Sequence, residues 1–500
     1  MIPTDAALAA VKMLGEQLDL AEGELHRLDK YYDGKQALNY LAPEIAAQVG
    51  RRLSSLVINW PRTIADSVQR RTYVEGFRVG NDGAVDAELA RLWQENDLDE
   101  TSQLAQLDAL IHGRAFLMVW GSEVDPLTPR ITIESAHQVA VSRTPGSREI
   151  RAAVKRWTDG DDDYASLYLR DEILRFVKPS VRAGVVSKWA LQDRLDNPLG
   201  AVPVVPLINR PRLLKLDGES ELTDVIPLAD AVNKLATDMI VASEFHAMPR
   251  RWATGIQIPT GPDRERLQAD AADYWDNATK GKTWLAGEGV SFGQFSEANL
   301  GNFVEAIQLL TAQIAAVAGL PPHFLGINTD NPASADAIRA AEATLVERAQ
   351  EKHRTWSGAY EQAMRLAVAA RDGVPVASLD SDLRRMETVW RDPATPTPAQ
   401  SMDAAVKGVQ AGIYDEAAAQ EVVGLSPQQR EAIADRRVNL TGGPVEGDEP
   451  AWQKVGLPAL VAAGIVSPAW AAAQVGAPTD GLSTSPVINA ADAVAADAAQ

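Results

Sequence analysis

The segment that decides the fold is FVEAIQLLTAQIAAVAGLPPHFLGINTDNPAS, which runs from Phe303 to Ser334. Its first half has apolar residues at three- and four-residue steps, a pattern that predicts an apolar helix. Gly319 and Pro321 are typical of the end of such a helix. The polar stretch GINTDNPAS closes the segment and has no apolar anchor. The segment therefore predicts a helix, a helix stop and a polar loop.

The residues after this loop predict a much longer, alanine-rich helix, from about Ala335 to Arg371. At the usual rise per residue such a helix reaches ~55 Å. Asp372 and Gly373 are typical of its end. Because its apolar residues recur at helical spacing, we expect them to lie along one side of the helix. These residues are Ile338, Ala341, Leu345, Trp356, Tyr360 and Met364.

A similar apolar helix is predicted upstream, where it begins near Ser220 and is stopped by Pro249. Pro227 is compatible with this helix only in its first turn. The residues between the two apolar helices are mixed, with a short strand pattern at Trp252–Ile258 and an acidic helical pattern at Asp263–Asn277. We therefore expect two long helices around a compact insert.

The first part of the chain predicts helices followed by an antiparallel β-meander. Helical spacing of apolar residues occurs in Ala7–Leu28, Arg62–Val74 and Ala87–Leu110. Short β-branched or aromatic segments then predict strands. The segments are AFLMVW (Ala115–Trp120), RITIES (Arg130–Ser135), IRAAVKRW (Ile150–Trp157), YASLYLR (Tyr164–Arg170) and ILRFV (Ile173–Val177). An extended, proline-rich connection is expected at Asn197–Arg210, and a further strand at Leu383–Trp390. The pattern indicates an α+β fold that is mostly α.

The turn TDGDDDY (Thr158–Tyr164) contains alternating aspartates, as calcium-binding loops do. An EF-hand loop needs Gly at its sixth position and Glu at its twelfth, where this chain has Tyr164 and Arg170. Asp-Gly is a frequent hairpin turn. We therefore predict a solvated hairpin at this position rather than a metal site.

The 500-residue chain is acidic, since 68 acidic and 48 basic side chains give a formal net charge of −20. The absence of cysteine excludes disulfides, thiolate metal sites and cysteine nucleophiles. The negative charge argues against a protein that coats nucleic acid. Apolar runs such as Ala312–Leu320 and Leu457–Val466 are shorter than the ~20 residues of a transmembrane helix. We expect no membrane span and no secretory signal.

No catalytic or metal-binding motif stands out in the sequence. The six histidines are too scattered to form a local metal pair, so we expect structural roles for them, and their convergence in the folded chain is the alternative left open. The segment DNATKGKT (Asp276–Thr283) ends like a phosphate-binding loop, but Asp276 stands where that loop needs its first glycine. GEGVSFG (Gly287–Gly293) has the wrong glycine spacing for a dinucleotide fold. We predict no catalytic residue, no metal and no cofactor.

The C-terminal part predicts helices that contain an internal repeat. RDPATPTPAQ (Arg391–Gln400) predicts a proline-rich hinge into this part. AGIYDEAAAQEVVG (Ala411–Gly424) aligns with AGIVSPAWAAAQVG (Ala463–Gly476), and seven of the fourteen positions are identical. Asp415 is expected to cap a helix N-terminus. Each copy predicts a helical hairpin that packs against protein, and residues 477–500 predict a disordered tail.

Seven segments, taken in order, carry a resemblance to a known family. They are YYDGKQALNYL (Tyr31–Leu41), VINWPRTIADSVQRRTYVEGF (Val57–Phe77), LIHGRAFLMVW (Leu110–Trp120), NPLGAVPVVPL (Asn197–Leu207), ASEFHAMPRRWATG (Ala242–Gly255), GLPPHFLG (Gly319–Gly326) and VWRDPATPTPAQSMDAAVKGVQAGI (Val389–Ile413). In this order they resemble the portal proteins of tailed double-stranded-DNA bacteriophages, in the branch common among siphophages of actinobacteria. The resemblance covers about residues 25–440.

The resemblance implies a wing, stem, clip and crown architecture. Its parts are N-terminal helices and a β-rich wing (1–221), a first stem helix (222–248), a clip (249–298), a second stem helix (299–321), a tunnel loop (322–335), a long tunnel helix with a returning wing strand (336–392), a helical crown with the duplicated hairpin (393–476) and a disordered tail (477–500). Portal proteins form a ring, usually of twelve copies, at one vertex of the capsid. The genome enters and leaves through this ring.

The resemblance also implies a set of partners for such a ring. They are further copies of the same chain, the terminase large subunit, the major capsid and scaffold proteins, and head–tail adaptor proteins. Contact with double-stranded DNA is expected to be transient and independent of sequence. The protein is expected in the virion, after assembly in the host cytoplasm, and it is not expected to be an enzyme.

The residues expected to line the DNA channel are those of the polar loop: Asn328, Thr329, Asp330, Asn331 and Ser334. Their only formal charge is negative, so we expect hydrogen bonds to the DNA backbone rather than ion pairs. An ordinary surface loop is the alternative for this segment. For the whole chain the alternatives are a non-portal virion protein or a nucleotide-dependent enzyme. The host, the subunit number, assembly without scaffold and the role of residues 441–500 are left open.

Overall fold

The computed structural model divides the chain into two compact units, Met1–Thr395 and Pro396–Gln500. The residues that the structure describes are 2–37, 57–80, 85–122, 125–180, 188–247, 251–254, 289, 291–294, 300–327, 335–394, 398–425, 429–430 and 432–433. The first unit mixes helices with antiparallel sheets, which confirms the predicted α+β class.

Eight helices lie in the described part of the first unit. They are α1 (Thr4–Asp33), α2 (Trp60–Gln69), α3 (Ala87–Glu95), α4 (Leu98–His112), α5 (Ile226–Ala247), α6 (Gly301–Ala318), α7 (Ala335–Asp372) and α8 (Ser381–Arg384). Side-chain caps begin several of them: Asp86 accepts a hydrogen bond from the Leu89 N–H at 2.9 Å. The predicted helix over Arg62–Val74 ends earlier, at Gln69, and Val74 begins a strand.

Twelve strands lie among the described residues. They are β1 (Val74–Arg78), β2 (Arg114–Trp120), β3 (Arg130–Ser135), β4 (Val139–Arg143), β5 (Ile150–Asp159), β6 (Asp162–Tyr168), β7 (Glu172–Lys178), β8 (Ala190–Asp196), β9 (Val204–Ile208), β10 (Arg251–Thr254), β11 (Ser291–Gln294) and β12 (Glu387–Trp390). Strands β4 to β8 form a five-stranded meander in chain order. A three-stranded sheet has the order β3-β2-β9, and two-stranded pairs form between β1 and β12 and between β10 and β11.

The five strands predicted for the meander are confirmed, but they belong to two sheets. Strands β2 and β3 lie in the three-stranded sheet, and β5 to β7 lie in the five-stranded sheet. The proline-rich connection predicted at Asn197–Arg210 contains strand β9, which pairs with β2. Pro206 is accommodated because β9 is an edge strand of its sheet. The last strand begins at Glu387 rather than Leu383, because Leu383 lies in the short helix α8.

The aspartate-rich turn joins β5 to β6, as the hairpin prediction expects. Asp159 pairs with Asp162, so the turn consists of Gly160 and one further residue. Gly160 has φ 61, a conformation that favours glycine. Asp163 accepts a hydrogen bond from Thr158 Oγ1 at 3.0 Å. This carboxylate therefore stabilises the hairpin.

Four clusters of buried apolar side chains lie in the described part of the first unit, and the two largest decide its packing. The larger one is built around the C-terminal two thirds of α7 and contains residues of α3, α4 and β2. In the smaller core α1 lies on the five-stranded sheet. Leu14 of α1 and Leu167 of β6 are fully buried there. Burial of one such side chain contributes about 1.5–3 kcal/mol.

The described part of the second unit is a helical hairpin formed by α9 (Pro398–Gln410) and α10 (Glu416–Val422). Asp415 Oδ1 accepts a hydrogen bond from the Ala418 N–H at 2.7 Å, which confirms the predicted N-cap. The first copy of the repeat thus contains the glycine turn and second helix that its sequence predicts. The second copy, 463–476, and the predicted tail lie outside the described residues.

Candidate functional site

The five loop residues predicted to line a channel, Asn328, Thr329, Asp330, Asn331 and Ser334, lie outside the described residues. The GKT segment, 276–283, lies outside them as well. The described chain stops at residue 327 and resumes at 335, so both anchors of the loop are described. The candidate site is therefore built from these two anchors.

The upstream anchor is the end of α6. Gly319 has φ 62, and its N–H caps the helix by donating to the carbonyl groups of Ala315 and Ala316. A Cβ atom at Gly319 would lie 2.9 Å from Arg348 Cδ, because the end of α6 lies directly against α7. A 3-10 turn, Pro322–Leu325, follows and ends at a second left-handed glycine. The approach to the loop is therefore fixed against α7.

The downstream anchor is the N-terminal part of α7, which extends beyond the core. Ile338 is 43% exposed, whereas Leu345 is fully buried. From Ala335 to Leu345 the helix rises ~15 Å. Along the predicted apolar side of α7, Ile338 and Ala341 are exposed, whereas Leu345 and the three aromatic and methionine positions after it are buried. The loop is attached to a projecting length of helix.

Buried polar contacts fix the rotation of α7 about its axis. Trp356 Nε1 donates to the Ile208 carbonyl oxygen at 2.9 Å. Gln106 Nε2 donates to the Tyr360 hydroxyl at 3.1 Å. Buried donors and acceptors that lose their partners cost free energy, so rotation of α7 is opposed by several bonds together.

A buried ion cluster joins the segment before α5 to α7. Lys352 Nζ lies 2.6 Å from Glu221 Oε1, and Arg348 donates to the other carboxylate oxygen. The side chains of Lys352 and Glu221 are 3% and 1% exposed. The Glu221 N–H also donates to the Leu110 carbonyl oxygen of α4 at 2.9 Å. Through its carboxylate and its backbone N–H, Glu221 thus connects three elements of the unit.

The electrostatics of this cluster favour the charged carboxylate. Burial alone raises the pKa of Glu221, but the nearby charges of Lys352 and Arg348 outweigh it. The net result is a pKa below the ordinary value of glutamate. The cluster is therefore ionised at neutral pH and acts as a cross-link between the start of α5 and the middle of α7.

Strands β10 and β11 lie between helices α5 and α6 in the order of the chain. The chain leaves α5 into β10 and returns from β11 into α6, and the two strands pair antiparallel. Helix α6 is apolar but poorly covered: Val304, Leu309 and Val317 are 45%, 62% and 52% exposed. An exposed apolar surface of this kind is typical of an interaction site.

Helix α6 is also long and apolar enough, by length and composition alone, to cross a membrane, and 22% of it is buried. The sequence expectation rested on uninterrupted apolar runs, and the absence of a membrane span stays a prediction. One helix of this type is weak evidence for a membrane span.

Sequence reasoning did not find the buried ion cluster. Glu221 and Arg348 are 127 positions apart, and neither belongs to a motif. A weaker signal is present in α7, where Arg348 and Lys352 share a helix side with the buried residues Leu345 and Ala349. Cations on an apolar helix side need a buried anion as partner.

Comparisons with known proteins agree with this architecture. A family model described as phage portal protein, SPP1 Gp6-like, matches residues 19–434. The portal protein of Mycobacterium phage L5 is 34% identical over 448 residues, which cover 86% of this chain and 88% of that protein. The portal protein of Mycobacterium phage D29 is 33% identical over 444 residues, with the same coverage.

Among solved structures, the neck of a native gene transfer agent particle, computed with C12 symmetry, matches with a TM-score of 0.42 and 14% identity. It covers 78% of this chain and 95% of that chain. The neck of the empty particle, computed with C6 symmetry, matches with a TM-score of 0.44 and 15% identity over 77% and 94% of the two chains. The family model and the two mycobacteriophage relatives show that this chain belongs to the phage portal protein family.

Proposed function

We propose that this phage portal protein closes into a ring, expected to hold twelve copies, at one vertex of the capsid. The observation that carries the proposal is the apolar helix α6, which the described residues of the chain leave mostly uncovered. In a ring, α6 of one copy has the neighbouring copy available to cover it. Double-stranded DNA passes through the central channel during packaging and ejection.

Helix α6 offers a direct test of ring assembly. Leu309 is 62% exposed, so Leu309→Glu leaves the fold of the single chain intact and places a charge on the proposed interface. Light scattering and negative-stain microscopy of purified protein are expected to show large rings for the wild type and a 53.8 kDa species for Leu309→Glu. The matched control is Leu20→Glu on α1, where the leucine is 85% exposed.

Two outcomes contradict the proposal in different ways. A strictly monomeric wild type across the micromolar range and varied salt is evidence against a ring. Intact rings of Leu309→Glu place α6 away from the interface. If the Leu20→Glu control also fails to form rings, the effect comes from the added charge rather than from its place on α6.

We further propose that residues 328–334 meet the DNA in the channel. Support comes from the anchors: α6 ends firmly against α7, and α7 rises ~10 Å from Ala335 to Glu342, whose carboxylate pairs with Arg71 at 2.9 Å. The loop sequence is polar and its formal charge is −1, from Asp330. Hydrogen bonds from such side chains form and break at low cost, whereas lysines would hold phosphates.

The protein acts in this proposal as a structural subunit and not as an enzyme. The terminase large subunit supplies the motor, and capsid, scaffold and head–tail adaptor proteins dock on the ring. Assembly takes place in the host cytoplasm, and the ring remains in the virion. Because Asp276 replaces the glycine of a phosphate-binding loop, Lys282→Ala is expected to leave any background ATP hydrolysis unchanged. Turnover that depends on this lysine would overturn the non-enzymatic assignment.

A further inference from the structure

Three of the six histidines, which the sequence separates widely, converge on one carboxylate. His112 Nε2 lies 2.7 Å from Asp29 Oδ1, and His137 Nε2 lies 3.0 Å from Asp29 Oδ2. His26 Nδ1 lies 3.7 Å from the same Oδ2 atom. The rings of His26 and His137 are 4.9 Å apart between centroids. These three histidines are far apart in the sequence and meet only in the folded chain, the convergence that the sequence left open.

Separate elements of the core hold these side chains in place. His26 and Asp29 lie one turn apart on α1, next to the buried residues Leu25 and Leu28. His112 is the last residue of α4, and its side chain is 4% exposed. His137 lies in the turn between β3 and β4. The cluster is therefore positioned by the fold rather than by one flexible loop.

We propose that His26 Nδ1, Asp29 Oδ2 and His137 Nε2 bind one Zn²⁺ ion. The three ligand atoms lie within 4.8 Å of one another. Atoms bound tetrahedrally at the usual zinc distances are ~3.3 Å apart, and the observed separations from Asp29 Oδ2, 3.0 Å and 3.7 Å, lie on either side of that spacing. Two imidazoles and one carboxylate are ligands that zinc accepts.

The neighbours of these ligands orient them for metal binding. His26 Nε2 lies 3.4 Å from Glu22 Oε1, so a proton on Nε2 points to this carboxylate and leaves the Nδ1 lone pair for the metal. His112 Nε2 contacts Asp29 Oδ1, which leaves Oδ2 for the metal. His112 Nδ1 in turn lies 3.7 Å from Asp108 Oδ2. Such outer contacts are typical of metal-binding histidines and carboxylates.

The site reaches solvent on one side, because the side chains of His26 and Asp29 are 58% and 39% exposed. Water can therefore complete the tetrahedron as a fourth ligand. The bound ion would link α1 to the turn between β3 and β4. Helices α2 to α4 and strands β1 to β3 lie between these two parts in the chain. Since the metal binds the folded arrangement, it raises the thermal stability of the protein.

The test uses untagged full-length protein that has been stripped with a chelator. Titration with Zn²⁺ alone by calorimetry is expected to show one ion per chain, and Co²⁺ is expected to give the visible absorption of a tetrahedral site. His26→Ala removes an exposed ligand without opening the core and should abolish both signals. Glu22→Gln keeps all ligands and should weaken binding by about 10- to 100-fold. His323→Ala, an exposed histidine of the 3-10 turn, is the matched control and should bind normally.

Zn²⁺ is also expected to raise the midpoint of thermal unfolding of the wild type and of His323→Ala but not of His26→Ala. The proposal is overturned if the stripped wild type takes up no zinc at micromolar concentrations. It is also overturned if His26→Ala and His137→Ala both retain the stoichiometry and affinity of the wild type. In the latter case the zinc lies elsewhere and the histidines only donate hydrogen bonds to Asp29.

Discussion

The substitution Lys352→Met removes one cation from the buried cluster around Glu221 and leaves a side chain of similar length. Lys352 Nζ lies 2.6 Å from Glu221 Oε1, and both side chains are almost fully buried. After the substitution Arg348 still pairs with the carboxylate, and Arg210 is the other nearby cation that favours its charged form. Breaking a buried ion pair from one side costs about 3–5 kcal/mol, so we expect the free energy of unfolding to fall by that amount.

Lys35→Met is the matched control. Lys35 Nζ lies 2.7 Å from Asp33 Oδ2, nearly the same distance, but these side chains are 74% and 46% exposed. An exposed pair contributes about 0–1 kcal/mol. Urea unfolding of both full-length variants, followed by tryptophan fluorescence, measures the difference. If Lys352→Met costs no more than Lys35→Met, the cluster does not cross-link α7 to the segment before α5, and the argument fails.

The same cluster predicts a dependence of stability on pH. Burial raises the pKa of Glu221, but Lys352 and Arg348 lower it by a larger amount. The pKa of Glu221 is therefore lower in the folded protein than in the unfolded chain. The contribution of Glu221 is thus fully present above the pKa of unfolded glutamate, about 4.3, and is lost as the pH falls through the folded value. Glu221→Gln should lack this part of the acid destabilisation. Equal slopes for the variant and the wild type would contradict the assignment.

Three further predictions concern the loop, its upstream anchor and helix α7. Replacing Asn328, Thr329 and Asn331 with lysine should leave ring assembly intact and slow genome packaging, because cations bind passing phosphates; packaging at the normal rate would place the loop away from the channel wall. Gly319→Ala should lower the free energy of unfolding by about 1–2 kcal/mol, since its φ is 62 and the added Cβ meets a side chain of α7. Gly358→Ala, with open space around the new Cβ, should instead stabilise α7 by up to ~1 kcal/mol.

The long helices were predictable because each leaves a strong periodic signal and a clear stop. Helix α6 ends at Ala318 before Gly319 and Pro321, and α7 ends at Asp372 before Gly373, as their sequences predict. The periodic pattern of apolar residues does not show how much of each helix is covered by the rest of the chain. Ile338 continues the apolar pattern of α7, yet it lies on the part of the helix that projects beyond the core.

The strands that sequence reasoning missed carry weak signals for physical reasons. The edge strand β8, ALQDRLD, is mostly exposed, so it lacks the alternation of a half-buried strand. Strand β9 contains Pro206, which is usual only at sheet edges. Strand β1 follows α2 directly and depends on β12 for pairing. Its partner is too distant in the chain for any local pattern to reveal.

The candidate site was predictable only in part, for a related reason. The polar loop is continuous in sequence, so its composition can be read directly. The Glu221 cluster and the Asp29 cluster instead join residues from separate elements, and their distances arise only after the sheets and helices have packed. A single sequence shows the charges and imidazoles but not which of them meet.

Strand β1 can pair with β12 only late in the synthesis of the chain. Val74 finds its partner, Trp390, only after the ribosome has made nearly all of the first unit. At ~5–20 residues per second this takes roughly 15–60 s, during which the edge of β1 stays open on the nascent chain. An open strand edge is a target for chaperones and for aggregation. A chain that ends before residue 387 lacks β12 and leaves that edge of β1 unpaired.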